Sequence, residues 1–195
     1  MEQVQGEIML SLESGGAVKI RRGFSLIELL ISLCLFSVVM ALIFTFFTHN
    51  LNSYRKAHNS SEIQFQAQYI LNFMTGKILS SNSISLVKPN DVTIYSLTVV
   101  RSRDTDFPVK KISFKYGERE DENYIFHIMN NNIRYGNGKK DINPTVELGN
   151  YVEEMYISLM KDESFGEAKF IRLKIVMEKD GQRYEAFQGA CMRNN

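Results

Sequence analysis

The chain has 195 residues, of which 23 are Lys or Arg and 22 are Asp or Glu, so its formal net charge is +1. This balance favours neither a general nucleic-acid surface nor an acidic substrate as the main partner. The length accommodates one globular domain in addition to a long N-terminal helix.

The N-terminal part contains an apolar run at 24–47 in which Glu28 is the one charged residue. A helix rises about 1.5 Å per residue, so about 20 such residues span the apolar core of a bilayer. Lys19, Arg21 and Arg22 precede the run. The positive-inside rule therefore predicts a cytoplasmic N-terminus and a C-terminal domain outside the cytoplasm.

Glu28 is unusual because a carboxylate in a membrane helix costs about 2.5–3.5 kcal/mol near the bilayer centre and less near an end. A cut after Gly23 would create an α-amino group on Phe24, one turn from Glu28. That amine, on the same or a neighbouring chain, is the natural counter-ion. The physical argument alone leaves a second interpretation open, in which Glu28 lies at the bilayer interface and reaches water.

Residues 22–30, with the sequence RGFSLIELL, resemble the signal of type IV prepilins, which pilins, type II secretion pseudopilins and competence pseudopilins share. In that family a prepilin peptidase cuts after the glycine, the new N-terminal residue is N-methylated, and the glutamate five residues into the mature chain is needed for filament packing. The resemblance implies cleavage between Gly23 and Phe24, methylation of Phe24, and a role for Glu28 in assembly. It also places the three basic residues named above in the leader.

Four segments are predicted. Residues 1–23 form a leader peptide that prepilin peptidase removes, 24–47 a transmembrane and filament-core helix, 48–82 a continuing amphipathic helix, and 83–195 an exported β-rich globular domain. Translation starts at Met1 or at Met9, and the second start gives a shorter leader. A secretory signal cut after Ala41 and an uncleaved signal anchor are competing interpretations, but the apolar run continues past Ala41.

The second part of the predicted helix has one apolar face. No proline occurs in 48–82, and the apolar residues recur at helical spacing, at Ile63, Ala67, Ile70, Met74 and Ile78. The polar stretch 56–62 is expected to face water or a neighbouring subunit. The serine-rich residues 80–83 predict the end of the helix, which then extends from about 24 to 79.

From residue 84 the hydrophobic period changes to two, which is typical of strands. Strands are predicted at 84–87, 92–100, 109–116, 124–129, 133–135, 152–160, 170–177 and 183–187, with turns at 88–91, 117–123, 130–132, 136–138 and 179–181. Asp180-Gly181 is the strongest hairpin signal. The predicted fold class is α+β, with a long N-terminal helix packed on an antiparallel β-sheet domain, as in pilin-like proteins.

No catalytic, metal or cofactor site is predicted. His49 and His58 lack the spacing of a helical zinc pair, and the sequence has no glycine-rich phosphate loop. The acidic residues at 118–122 and at 162–167 lack the ligand alternation of a calcium loop, so solvated turns are expected there. Cys34 and Cys191 are expected to lie far apart and to form no internal disulfide.

One local basic patch is predicted around Phe107. It combines Arg101, Arg103, Lys110 and Lys111, with Arg134, Lys139 and Lys140 as further candidates. Such a patch can contact phosphate groups. Asp104 and Asp106 dilute the charge, however, so a solvated loop is expected and nucleic acid is not an expected partner.

The resemblance implies a structural, non-enzymatic protein without a cofactor. It is closest to the J-type minor pseudopilins of type II secretion and the W-type minor type IV pilins, through 54–70, 128–135 and 190–194. It implies a minor subunit that initiates or caps a type IV pilus-like or secretion pseudopilus filament. The implied location is the bacterial cytoplasmic (inner) membrane, followed by the filament.

The implied partners are other major and minor pilin or pseudopilin subunits, prepilin peptidase, the inner-membrane assembly platform, and membrane lipid before assembly. Two alternatives stay open. One is a competence pseudopilin that contributes to DNA uptake. The other is a membrane-anchored extracytoplasmic binding domain that does not polymerise.

Overall fold

The computed structural model describes residues 25–90, 93–98, 106–160 and 163–193. Within these residues one helix precedes nine strands. The elements are α1 (Leu26–Leu79), β1 (Ser83–Lys88), β2 (Phe107–Pro108), β3 (Lys111–Lys115), β4 (Asn123–Met129), β5 (Asn132–Gly138), β6 (Val146–Gly149), β7 (Val152–Leu159), β8 (Phe170–Lys179) and β9 (Gln182–Cys191). The chain divides into two compact units, Met1–His49 and Asn50–Asn195.

The first unit contains the apolar part of α1. Its large apolar side chains are exposed, with exposed fractions between 46 % at Met40 and 82 % at Leu26. The helix is long and apolar enough to cross a membrane, and none of its most apolar window is buried. An apolar helix without a protein core around it needs another apolar environment, such as lipid or other helices.

The second unit buries the predicted face of α1. Ile63, Ala67, Ile70, Met74 and Ile78 are each at most 1 % exposed and belong to one core with side chains from the strands. Complete burial of an aliphatic side chain contributes about 1.5–3 kcal/mol, so this stripe fixes the helix to the sheets. The prediction of the apolar face is confirmed.

At the end of the helix, serine side chains form hydrogen bonds with a carbonyl group of the last turn. The hydroxyls of Ser80 and Ser81 both donate to the carbonyl oxygen of Lys77, at 2.9 and 2.8 Å. The Asn82 N–H donates to the Lys115 carbonyl oxygen at 2.7 Å. This bond connects the end of the helix to β3, just before β1 begins at Ser83. Capping of terminal carbonyl groups in this way satisfies acceptors that the last turn leaves open.

The strands form two antiparallel sheets with the orders β1-β3-β4-β5-β6 and β2-β7-β8-β9. Two hairpins turn on residue pairs with positive φ, Asn130-Asn131 at 53° and 60° and Asp180-Gly181 at 50° and 75°. Such pairs are typical of the two-residue turns that match strand twist. The predicted α+β fold class, with a long helix packed on antiparallel strands, is confirmed, and so is the Asp180-Gly181 hairpin.

Sequence and structure differ at two of the predicted strands. Residues 93–98 of the predicted strand 92–100 are irregular, and the rest of that segment lies outside the described residues. Here the Tyr95 N–H donates to the Val87 carbonyl oxygen at 2.9 Å, and Leu97 accepts from Gly166 at 2.9 Å, so the backbone makes single contacts instead of a ladder. The predicted strand 109–116 is divided, because Val109 donates to Met155 in the second sheet before β3 begins in the first.

A third difference concerns the glycines of β5. The predicted turn 136–138 is the end of this strand, where Gly136 pairs with Ile125 and Gly138 with Asn123. A Cβ atom on Gly136 would lie 3.0 Å from Pro144 Cβ, so glycine allows the following segment to pass close to the strand. Strand β6 is not predicted because its four residues, Val146–Gly149, show no clear alternation.

Part of the polar stretch 56–62 contacts the β8–β9 hairpin. Glu62 and Lys179 form an ion pair with 2.6 Å between Oε2 and Nζ. The Asn59 side-chain amide donates to Asp180 Oδ2 at 2.8 Å. The expectation that this stretch faces only water or another subunit is therefore wrong for Asn59 and Glu62.

Candidate assembly site at the start of the helix

The first turn of α1 is closed by a reciprocal pair of hydrogen bonds. The Ser25 N–H donates to Glu28 Oε2 at 3.0 Å, and the Glu28 N–H donates to Ser25 Oγ at 3.3 Å. This is a capping box, in which the residue before the helix and the third helical residue satisfy one another's backbone N–H groups. The carboxylate also lies in the first turn, where the positive end of the helix dipole favours it.

Glu28 is the charged residue of an otherwise apolar helix surface. Its neighbours Ile27 and Leu29 are 67 % and 58 % exposed. Among the described residues, no Lys, Arg or His forms an ion pair with this carboxylate. The bond from Ser25 directs Glu28 Oε2 back toward the N-terminal end of the helix.

Two hydroxyl groups of the apolar run bond to the helix itself. Ser37 Oγ donates to the Cys34 carbonyl oxygen at 2.7 Å, and Thr45 Oγ1 donates to that of Ala41 at 2.9 Å. Such bonds satisfy hydroxyl donors without water. Both residues are thus compatible with an apolar surrounding.

Of the site residues predicted from the sequence, the structure describes Glu28. Gly23 and Phe24, the expected cleavage and methylation positions, lie outside the described residues, as do the leader residues Lys19, Arg21 and Arg22. Sequence reasoning did not include Ser25. Its signal is the Ser-x-x-Glu spacing at 25–28, which is typical of a helix start.

Two residues of the predicted basic patch, Phe107 and Lys111, are buried and do not lie in a solvated loop. Phe107 is 9 % exposed and packs on Phe165, with 5.6 Å between ring centroids. Lys111 is 4 % exposed, and its Nζ donates to the carbonyl oxygen of Asp141 at 2.8 Å and to Asp141 Oδ1 at 3.1 Å. Neither side chain presents a surface for phosphate; Arg101 and Arg103 lie outside the described residues.

The other candidate groups are distributed over the fold. His49 and His58 lie on α1, His127 lies on β4, and the acidic run 118–122 forms the exposed turn between β3 and β4, as predicted. Within the described part of the chain, no group of three or more His, Cys, Asp or Glu side chains is placed to hold a metal ion. Cys34 and Cys191 are both exposed free thiols.

Comparison with known proteins identifies the N-terminal segment. Residues 18–44 match the family model described as the prokaryotic N-terminal methylation motif. No curated protein and no solved structure matches the chain significantly. The matched residues include Gly23, Phe24 and the Ser25–Glu28 capping box, and they continue into the exposed apolar part of α1. The N-terminal segment therefore carries the methylation motif of type IV prepilins and pseudopilins, which supports that family for the chain, and the motif leads into a helix that is long and apolar enough to anchor in a membrane.

Proposed function

We propose that the chain is a minor subunit that initiates or caps a type IV pilus-like or secretion pseudopilus filament. The single observation that carries the proposal is the methylation motif at 18–44, which leads into a helix with exposed apolar side chains. The subunit is held in the inner membrane by residues 24–47, with its N-terminus in the cytoplasm. Lys19, Arg21 and Arg22 support this orientation through the positive-inside rule.

Transfer from membrane to filament is physically accessible for such a helix. Lipid chains and neighbouring apolar helices are similar apolar environments. The free energy of burying the exposed side chains of α1 therefore changes little when one replaces the other. The intrahelical bonds of Ser37 and Thr45 persist in both environments, because both acceptors belong to the same helix. Apolar burial alone therefore does not select one register between neighbouring helices.

A charge pair can select that register. Cleavage after Gly23 makes the Phe24 nitrogen an ammonium group, next to the Ser25 N–H that Glu28 already accepts. In the proposed filament Glu28 pairs with the methylated Phe24 amine of an adjacent subunit. Removal of one partner from a pair in an apolar bundle costs about 3–5 kcal/mol, because the other charge is left uncompensated.

The minor role rests on the loose resemblance of 54–70, 128–135 and 190–194 to J-type and W-type subunits. A minor subunit is present in far fewer copies than the major subunit, and the filament fails to start without it. Quantitative mass spectrometry of the filament fraction, together with deletion of the gene, tests both properties. Equal copy numbers of this chain and the most abundant subunit would contradict the minor role.

The decisive experiment on processing is the N-terminal sequence and intact mass of the protein from its own host's membrane. A chain that starts at Phe24 with one added methyl group is the expected result. A start at Met1 or Met9 would instead show an uncleaved signal anchor, and a start at Leu42 an ordinary secreted protein. Either outcome would overturn the proposed filament function.

A further inference from the structure

We infer that the outer edge of β9 is a docking site for an extended strand of another pilin-type subunit. The inference rests on the proposed function, because it names a partner surface for a filament subunit. Strand β9 is ten residues long and lies at the end of the order β2-β7-β8-β9. An edge strand of this length presents a row of backbone donors and acceptors to any chain that can pair with it.

The register shows which peptide groups face outward. The β8–β9 hairpin closes at Lys179 and Gln182, and the same register continues to Met192, whose N–H donates to the Lys169 carbonyl oxygen at 2.7 Å. Antiparallel pairing alternates between residues that bond to the partner strand and residues that face away from it. The even-numbered residues of β9 therefore bond to β8, and the peptide groups of the odd-numbered residues, from Arg183 to Cys191, face the open edge.

The other sheet edges in the described part of the chain are short or partly occupied. Strand β2 has two residues, one of them Pro108. The β1 edge is occupied at one point, where the Tyr95 N–H donates to the Val87 carbonyl oxygen. Strand β6 has four residues and is followed by Asn150, whose N–H donates to Gln66 Oε1 at 3.0 Å. Proteins protect their edges by such means, and no residue in the described ranges is seen to protect β9 in this way.

The charges on β9 are satisfied within the chain. Arg183 Nη2 lies 3.4 Å from Glu154 Oε2, and Glu185 Oε2 lies 2.9 Å from Lys174 Nζ. Charged residues on an edge protect it when a docking strand would have to bury them unpaired. Here both charged side chains already have partners within the chain. The next odd-numbered residue of β9, Phe187, is 71 % exposed.

These features define the chemistry of the occupant. Only an extended backbone supplies donors and acceptors at two-residue spacing. Because Arg183 and Glu185 have partners in the chain, we expect an uncharged strand, with an apolar side chain opposite Phe187. A groove of about 410 Å³ beside the edge, lined by Gln68, Leu71, Asn72 and residues 184–188, has room for side chains on the inner face of that strand.

The test compares variants of the full-length, epitope-tagged chain in its own host. Phe187→Pro removes the outward N–H without removing a bond to β8, and Phe187→Lys introduces a charge at the edge. Subunits carrying the methylation motif are quantified after purification from detergent-solubilised membranes. We expect both variants to lower the recovery of those subunits about fivefold or more, since each removes contacts at the centre of the edge.

Phe65→Lys is the matched control, because Phe65 is 73 % exposed but lies on α1. This variant is expected to leave the recovery of the co-purifying subunits unchanged. Thermal melts show whether each variant remains folded. Normal recovery with Phe187→Pro and Phe187→Lys, or an equal loss with Phe65→Lys, would overturn the docking site. The proposed function is tested separately by processing at Phe24, and it survives if processing is normal while the edge variants have no effect.

Hydrogen exchange gives an independent readout on the same residues. In the purified chain the Phe187 amide should exchange rapidly and the Ala186 amide slowly, because their N–H groups face opposite sides of β9. In the purified complex the Phe187 amide should become protected. Protection of Phe187 already in the isolated chain would show that the edge is not open and would refute the inference.

Discussion

Ser25 and Glu28 hold each other across the first turn of α1, with 3.0 Å between Ser25 N and Glu28 Oε2 and 3.3 Å between Glu28 N and Ser25 Oγ. This relationship gives the carboxylate a role within its own chain, in addition to the proposed role between chains. A cap requires a hydrogen-bond acceptor at position 28, whereas a charge pair requires an anion. Substitutions can separate the two.

Glu28→Gln retains the acceptor and removes the charge. We expect the variant to insert into the membrane and to be cut at the normal position, because the side chain can still accept the Ser25 N–H. Incorporation into the filament should fall at least as far as it does for Glu28→Ala, because neither side chain can neutralise the Phe24 amine. Quantitative immunoblots of the membrane and filament fractions measure both steps.

Ser25→Ala is the complementary variant, since it removes the hydroxyl acceptor and keeps the carboxylate. Loss of an N-cap side chain costs about 0.5–2 kcal/mol of helix stability. Because the charge remains, assembly should continue. If Glu28→Gln assembled normally and Ser25→Ala did not, the cap rather than the charge would be the functional feature.

Local features of the fold could be read from the sequence. The spacing of Ile63, Ala67 and Ile70 determines a helix face, and Asp180-Gly181 determines a turn, whatever the rest of the chain does. The division into two sheets depends instead on which carbonyl group a backbone N–H meets. Val109 donates to Met155 and Lys110 donates to Lys88, although the alternating pattern continues through both residues. Hydrophobic period contains no information about that choice.

The candidate site shows the same difference. Glu28 stands out in the sequence because a charge inside an apolar run is rare, and its contact with Ser25 is local. Lys111 resembles an ordinary surface lysine in the sequence, yet Asp141, 30 positions further along the chain, meets it in the structure. Burial of that lysine depends on a long-range contact, so composition and spacing could not predict it.

Gly76 offers a test of the helix within the second unit. Apart from the neighbouring helix backbone, no atom lies within 4 Å of the position that a Cβ would occupy, and the residue is exposed in a regular helix. Glycine is less favourable than alanine in a helix interior by about 0.5–1 kcal/mol. Gly76→Ala should therefore raise the melting temperature of the full-length protein in detergent, measured by circular dichroism.

Gly149→Ala is the contrasting change. The added Cβ would lie 2.7 Å from Ile70 Cδ1, so the β6 backbone or a fully buried side chain of α1 has to move. Overpacking of a core costs about 1–3 kcal/mol, and the melting temperature should fall. Equal effects of the two alanines would mean that the helix does not pack on the first sheet at this point.

The turn between β8 and β9 requires a left-handed backbone at Gly181, whose φ is 75°. A side chain in this conformation costs about 1–2 kcal/mol. Gly181→Ala should lower the melting temperature, although no atom lies within 4 Å of its Cβ position. Gly76 likewise has free space at its Cβ position. Opposite shifts in melting temperature for Gly76→Ala and Gly181→Ala would therefore show that backbone conformation, rather than crowding, determines the effect.

Asp141 provides a prediction for the dependence of stability on pH. Its carboxylate accepts a hydrogen bond from Lys88 Nζ at 2.7 Å and another from Lys111 Nζ at 3.1 Å. The bond from Lys88, with a smaller contribution from Lys111, lowers the pKa of Asp141 below its ordinary value of 3.8. A carboxyl group with a lowered pKa contributes stability that is fully present above the ordinary value and is lost as the pH falls through the lower one.

Asp141→Asn removes this contribution and leaves Lys111 buried without a carboxylate. The Asp141 side chain is 56 % exposed, so solvent screening limits the effect. We expect a loss of about 1 kcal/mol at pH 7, visible as a lower melting temperature. The difference between variant and wild type should shrink as the pH falls from 3.8 through the lowered pKa of Asp141, because the wild-type carboxylate then becomes protonated in the folded protein as well. Glu118→Gln, in the exposed turn after β3, controls for the loss of one acidic group. If the difference in melting temperature between Asp141→Asn and wild type stayed constant from pH 7 to strongly acidic solution, the ion pairs of Asp141 would not stabilise the fold.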